Sequence, residues 1–131
     1  LGYSYLEKAR NLDEALSMIE RAAKARPDSG AISDSLAWAY FRLGRYRDAE
    51  KEMERAILLM PADAVLNDHL GDIYWAVGRK LEAGVQWKRA LSFKPDEEET
   101  VKRIHRKLEV GLDAVLKEEG AKPLAVTSDG G

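Results

Sequence analysis

A 34-residue internal repeat constrains this sequence more than any other feature. The central copy contains Leu36, Tyr40, Gly44, Arg45, Ala49, Ala56 and Pro61. A shift of 34 residues leads to Leu70, Tyr74, Gly78, Arg79, Ala83, Ala90 and Pro95, and the opposite shift leads to Ala15, Ala22 and Pro27. A period of this length is typical of stacked helix pairs, each packing mainly on its neighbours. We therefore predict an all-α array of antiparallel helix pairs.

Local signals indicate where the helices begin and end. Ser29 is placed to cap a first helix, Gly44 to end it, and Pro61 to stop the second helix of the pair. In the incomplete leading copy we expect a turn between two helices around Ala9 to Leu12. The boundaries predicted in this way are a truncated first repeat at 1–29, complete repeats at 30–63 and 64–97, a C-terminal capping helix region at 96–119 and a disordered tail at 120–131.

The segment after Pro95 departs from the repeat. Acidic residues come first and basic residues follow, which suits the dipole of a helix. Val101, Ile104 and Leu108 form one apolar stripe, as expected of a capping helix that covers the last repeat. Gly111 is expected to bend or break this helix.

Composition excludes several classes of function. The 21 basic and 23 acidic residues nearly cancel, which gives no electrostatic reason to expect nucleic acid as a partner. The chain has no cysteine, and no apolar run approaches the roughly 18 residues of a membrane span. Its carboxylate pairs lie on predicted solvated helix faces, and no nucleophile or phosphate-binding motif is present. We predict a soluble, non-catalytic chain with no catalytic residue, cofactor, metal or direct membrane insertion.

The combination of the first-helix leucine and tyrosine, the turn glycine, two alanines seven apart and a closing proline resembles the tetratricopeptide repeat family. The repeats also resemble the C-terminal part of larger bacterial repeat proteins. The resemblance implies a right-handed superhelix that acts as a protein-binding scaffold, with a concave groove lined by the first helix of each pair. The groove residues that it implies are Tyr3, Leu6, Asp34, Trp38, Phe41, Arg42, Asp68, His69, Asp72 and Trp75.

The expected partner is a peptide or a partner's helix with apolar anchors and some basic residues, because the implied groove is aromatic and acidic. One branch of the family binds a C-terminal carboxylate through cations, but the corresponding positions here hold Tyr3, Ser35, Val65 and His69. Binding of that type is not expected. The groove aromatics have an alternative role in packing, and Trp87 is assigned to the core. Asp68, His69 and Asp72 are interpreted as polar groove residues rather than as a metal site.

Two other functions remain open. The repeat ends could themselves be the interface, so that the chain forms a homo-oligomer through its N-terminal end, where Tyr3 and Leu6 would be exposed. The chain could also be the targeting arm of a larger enzyme. The sequence leaves the compartment undecided between the cytoplasm and the periplasm or cell envelope.

Overall fold

The computed structural model describes residues 5–125, with side chains from residue 11 onward, so that Tyr3 and the side chain of Leu6 lie outside the described part. Within it there are seven helices and no strand. They are α1 (Tyr5–Ala25), α2 (Gly30–Arg42), α3 (Tyr46–Leu59), α4 (Ala64–Ala76), α5 (Lys80–Ser92), α6 (Glu98–Val110) and α7 (Leu112–Glu118). None of these helices is long and apolar enough to cross a membrane.

The helix ends follow the sequence signals. Ser29 Oγ accepts a hydrogen bond from Ile32 N at 3.2 Å, and Asp63 Oδ1 accepts one from Leu66 N at 3.0 Å. Gly44 ends the α2 segment with a φ of +78°, which a residue with a Cβ rarely adopts. Helix α2 packs on α3 and α4 on α5, while α3 joins the two pairs. The predicted all-α helical repeat fold is confirmed.

The predicted turn in the leading copy is wrong, because α1 is one continuous helix of 21 residues. The segment from Ala9 to Leu12 contains neither the glycine nor the proline that interrupts the other copies. Alanine, arginine and leucine favour the helix, so nothing local opposes its continuation.

A hydrogen bond between a motif tyrosine and a glutamate of the preceding helix also recurs from one repeat to the next. Tyr40 Oη donates to Glu20 Oε2 at 2.7 Å, and Tyr74 Oη donates to Glu54 Oε2 at 2.6 Å. Burial and the neighbouring carboxylate raise the pKa of the Tyr40 hydroxyl to about 12, and the pKa of Tyr74 is raised for the same reasons. The repeat therefore specifies polar links between helices as well as apolar packing.

The core lies between the two helix pairs and the C-terminal helices. Five alanines are fully buried in it: Ala37, Ala49, Ala56, Ala83 and Ala90. Trp87, which is 1% exposed, fills the largest share of this core, as expected from the sequence. Its ring packs against the α4 backbone at Gly71, where an added Cβ would lie 2.4 Å from Trp87 Cδ1. The absence of a side chain at this position is what lets α4 and α5 approach.

The C-terminal region follows the expectation at Gly111 and differs from it near the end of the described chain. Gly111 breaks the capping helix with a φ of +86°, and α6 and α7 pack against each other. The tail from residue 120 is expected to be disordered, but Leu124 and Ala125 contact the repeats. Leu124 packs on the main core and Ala125 N donates to Tyr46 Oη at 2.7 Å. These contacts stabilise a segment whose composition alone indicates disorder, and residues 126–131 lie outside the described part.

Candidate functional site

Helices α2 and α4 occupy equivalent places in successive repeats, so their side chains alternate across one surface. The groove is the space between this surface of α2 and α4 and the C-terminal segment that faces it. The C-terminal segment comprises α6, α7 and the described residues after them, up to Ala125. Asp34, Trp38, Phe41 and Arg42 reach this region from α2, and Asp68, His69, Asp72 and Trp75 come from α4. The described positions expected from the resemblance are therefore close together.

Three rings form a continuous stack on the α2 side of the groove. Trp38 stacks on Phe41 with the ring centroids 4.6 Å apart, and on His69 of α4 with the centroids 3.9 Å apart. His69 Nδ1 donates to Asp34 Oδ1 at 2.8 Å, which fixes the imidazole against the indole. All four side chains are half-buried. This part of the groove is a rigid apolar surface with a satisfied polar edge.

The other two groove carboxylates are engaged by a lysine from outside the repeats. Lys107 of α6 has a fully buried side chain, and its Nζ donates to Asp68 Oδ1 and to Asp72 Oδ1, the latter at 2.7 Å. Asp72 also accepts a hydrogen bond from Trp87 Nε1 at 3.0 Å. Burial raises the pKa of Asp72, and the nearby ammonium of Lys107 opposes this rise. Both carboxylates are thus engaged within the chain, and the single ammonium balances one of their two negative charges.

The C-terminal segment covers the part of the groove near the ends of α2 and α4. Trp75 Nε1 donates to Asp113 Oδ2 of α7 at 3.2 Å. Gly111 lies directly on the Trp75 ring, since a Cβ added there would be 2.4 Å from Trp75 Cη2. Trp75 also contacts the Trp87 ring, at a centroid distance of 5.8 Å. In this chain Trp75 therefore takes part in internal packing rather than in an open surface.

A cavity of about 690 Å³ remains between the repeats and the C-terminal segment. Trp38, Phe41 and Arg42 line it from the repeats, and Leu116 and Leu124 line it from the other side. Its volume is in the range of cavities that bind small ligands or single large side chains. The aromatic and leucine side chains on the two walls suit an apolar anchor, and charged side chains also line the cavity: Arg42, Asp72, Arg103, Glu119 and Lys122.

The sequence reasoning missed the contribution of the C-terminal segment to this site. Lys107, Leu116 and Leu124 lie beyond the repeats, so the 34-residue period carries no information about them. One feature of the sequence indicates that Lys107 is buried. It follows Ile104 by three residues on the capping helix and therefore shares the buried face of that residue. No cluster of three potential metal ligands occurs among the described side chains, and Asp68 and Asp72 bind Lys107 instead.

Comparisons with known proteins agree with this architecture. The family model described as Tetratricopeptide repeat matches residues 6–73, just over half of the chain. The TPR repeat-containing protein PA4667 of Pseudomonas aeruginosa is 39% identical over 51 residues, which are 39% of this chain and 9% of that protein. This chain thus matches only a small part of that relative's length.

Two solved structures illustrate the likeness in fold. The first TPR of Spaghetti (RPAP3), bound to the HSP90 peptide SRMEEVD, is 26% identical with a TM-score of 0.67, over 80% of this chain and 82% of that one. PcrH, in complex with the chaperone binding region of PopD, is 17% identical with a TM-score of 0.69, over 86% of this chain and 84% of that one.

Proposed function

Because the chain belongs to the tetratricopeptide repeat family, we propose that it is a non-catalytic protein-interaction module that holds a peptide or a partner's helix in the groove. The family model and the solved relatives support an interaction role in general terms. The structure of the first TPR of Spaghetti contains a bound peptide, and its likeness to this chain extends over most of both chains. The groove described above is where the proposal places the partner.

The observation that carries the proposal is the stack of Phe41, Trp38 and His69 beside the cavity. Aromatic rings held in place by one another lose little conformational entropy when a partner covers them. Such rings are common among the few residues that dominate binding energy. A partner side chain entering the cavity would contact the Trp38 and Phe41 rings on one side and apolar side chains of α7 on the other.

The contacts of the three groove carboxylates bear on the chemistry that we propose for the partner. The preference for basic residues rested on three carboxylates, but Asp68 and Asp72 bind Lys107, and Asp34 binds His69. For Asp68 and Asp72 the cation comes from α6, outside the repeat, whereas Asp34 is paired with His69 within the repeats. We therefore propose a partner recognised mainly through apolar anchors.

Selection from a library of displayed peptides, with the chain as bait, tests the groove without a known partner. Selected peptides should lose at least about tenfold in affinity for Trp38→Ala, equivalent to about 1.4 kcal/mol, because the central ring of the stack is removed. Leu58→Ala is the matched control, since this exposed residue of α3 lies outside the groove. Isothermal titration of each variant gives the affinities. Peptides that bind both variants equally well would place the interaction elsewhere and refute the proposal.

A second candidate function, assembly through the repeat ends, has an observation of its own. Leu12 and Met18 of α1 are 56% and 62% exposed, and Ala15 and Ala22 beside them are exposed as well. These residues form an apolar stripe on the side of α1 that does not pack on α2. Sedimentation across a range of concentrations tests it: self-association should occur and should be abolished by Met18→Lys, whereas a monomer at every concentration would exclude it.

A further inference from the structure

The last described residues line part of the groove as an irregular segment. Residues Ala121 to Ala125 have no regular secondary structure, yet Leu124 is half-buried against the main core. The backbone N–H of Ala125 donates to Tyr46 Oη at 2.7 Å, which joins positions 79 residues apart. Leu124 and Ala125 line the same cavity as Trp38 and Phe41. The segment therefore lies where the proposed function places a partner.

The surface beneath this segment has the features of a binding site for extended backbone. Tyr46 is buried, and its ring lies 5.3 Å from the Phe41 ring. Gly44 has a φ of +78°, and a Cβ there would lie 3.3 Å from Ala125 Cβ, so its missing side chain lets the segment approach. In the next repeat the position of Tyr46 holds Lys80, so this hydroxyl acceptor is particular to one unit.

The segment is held less firmly than the helix before it. Helix α7 is tied to α6 by ion pairs of Arg103 with Glu119 and of Arg106 with Glu118, both at 2.6 Å. Beyond these pairs Gly120 adopts a φ of +69°, and nothing lies within 4 Å of a Cβ added to it. From Lys122 to Ala125, one backbone hydrogen bond and one half-buried leucine provide the attachment. Ala121 N still donates to Leu116 O of α7, so that release from Lys122 to Ala125 does not require α7 to move.

We propose that Phe41, Gly44 and Tyr46 form a binding site for an extended apolar peptide segment with a leucine-like anchor. Residues Ala121 to Ala125 are its occupant within the chain, and an external partner binds by taking their place. This inference rests on the proposed function and adds the chemistry of the partner and the competition that the chain itself imposes. The partner would supply an apolar side chain in place of Leu124 and a backbone N–H for Tyr46 Oη.

The fraction of time for which the internal segment fills the site sets how strongly its removal improves the binding of an external peptide. A site that is free for a fraction f of the time binds an external ligand with an apparent dissociation constant raised by 1/f. If the segment occupies the site for nine tenths of the time, its removal strengthens external binding by about tenfold. If the segment never occupied the site, its removal would leave the affinity for an external peptide unchanged.

The test uses a synthetic peptide with the sequence of residues 120–131 as the external probe. It is titrated into the unmodified 131-residue chain and into Leu124→Asp, in which a charged residue replaces the internal anchor. Leu81→Asp is the matched control, because Leu81 is exposed on the first turn of α5, where an aspartate suits the helix. Chemical shifts of the Tyr46 and Trp38 signals report binding. We expect binding to Leu124→Asp at least about tenfold stronger than to the unmodified chain and to the control.

A second variant covers the case in which Leu124→Asp perturbs the fold. Ala125→Pro removes the backbone N–H that donates to Tyr46 Oη but keeps Leu124. This variant should also bind the peptide more strongly than the unmodified chain. Equal binding of the peptide to all four chains, or its failure to bind Leu124→Asp and Ala125→Pro, would overturn the inference. If the affinity of the library peptides still falls on Trp38→Ala, the proposed groove function stands even though this inference fails. If Trp38→Ala leaves that affinity unchanged, the groove function is refuted by its own test.

Discussion

Lys107→Met is expected to be among the most destabilising single substitutions in this chain. The Lys107 side chain is fully buried, and its ammonium is shared between Asp68 and Asp72. Methionine has a similar length but no charge, so Asp72 would keep only the hydrogen bond from Trp87. Removing one partner of a buried ion pair costs about 3–5 kcal/mol, because the other charge is left uncompensated. Since domains of this size unfold with about 5–15 kcal/mol, the loss is a large share of the total.

The cost should also depend on pH, in a direction that the structure defines. Burial raises the pKa of Asp72 above its ordinary 3.8, and loss of Lys107 would raise it further. In the window above 3.8 the folded variant then binds more protons than the unfolded chain, so its free energy of unfolding falls as the pH rises. Protonated Asp72 tolerates burial without a cation. The difference between Lys107→Met and the unmodified chain should therefore be larger at pH 7 than at pH 4.

Urea unfolding followed by tryptophan fluorescence measures these differences. Lys102→Met, an exposed lysine of the same helix, is the matched control and should change stability by less than about 0.5 kcal/mol. Adding Asp72→Asn to Lys107→Met should recover about 1–3 kcal/mol, because a neutral amide then replaces the uncompensated carboxylate. If Lys107→Met costs no more than Lys102→Met, the reasoning about the buried pair is refuted.

Three further predictions concern backbone propensity, packing and hydrogen bonding, and the same unfolding measurement checks them. Gly84→Ala should stabilise the chain by about 0.5–1 kcal/mol, because the position is helical and nothing lies within 4 Å of an added Cβ; a destabilised variant would contradict this. Gly71→Ala should cost about 1–3 kcal/mol, since its Cβ would collide with Trp87, and an unchanged midpoint would show that the ring moves freely. Tyr40→Phe and Tyr74→Phe should each cost about 1–2 kcal/mol, because each removes an equivalent hydrogen bond to a carboxylate; a loss at only one of them would contradict the equivalence.

The fold could be predicted from the sequence to the extent that the repeat governs it. Gly44, Pro61 and Asp63 act locally, through backbone conformation and capping, so their effects are readable without knowledge of the rest of the molecule. Alignment with the other copies, rather than local reasoning, gave the wrong prediction of a turn at Ala9 to Leu12. The residues themselves favour a helix, and the structure follows the residues.

The groove was predictable only in part. The resemblance implied that Trp38 and His69 both face the groove, because the first helices of successive repeats are neighbours in such an array. Their stacking does not follow from the 34-residue period, since the two residues are not equivalent positions of the repeat. The period could not indicate that Lys107 reaches Asp72 or that Leu124 returns to the core, because these contacts span 35 residues or more and involve segments without the repeat. The charge of the groove is therefore a property of the whole chain.

The central claim is that a partner binds beside Trp38 and displaces the segment that ends at Ala125. The most direct measurement is a nuclear magnetic resonance titration of the 131-residue chain with a peptide from the library selection. The account predicts that the Trp38 indole N–H and the Ala125 amide shift together with one affinity, while the Trp87 indole N–H changes little. Shifts confined to the exposed faces of α3 and α5, with Trp38 and Ala125 unchanged, would contradict it.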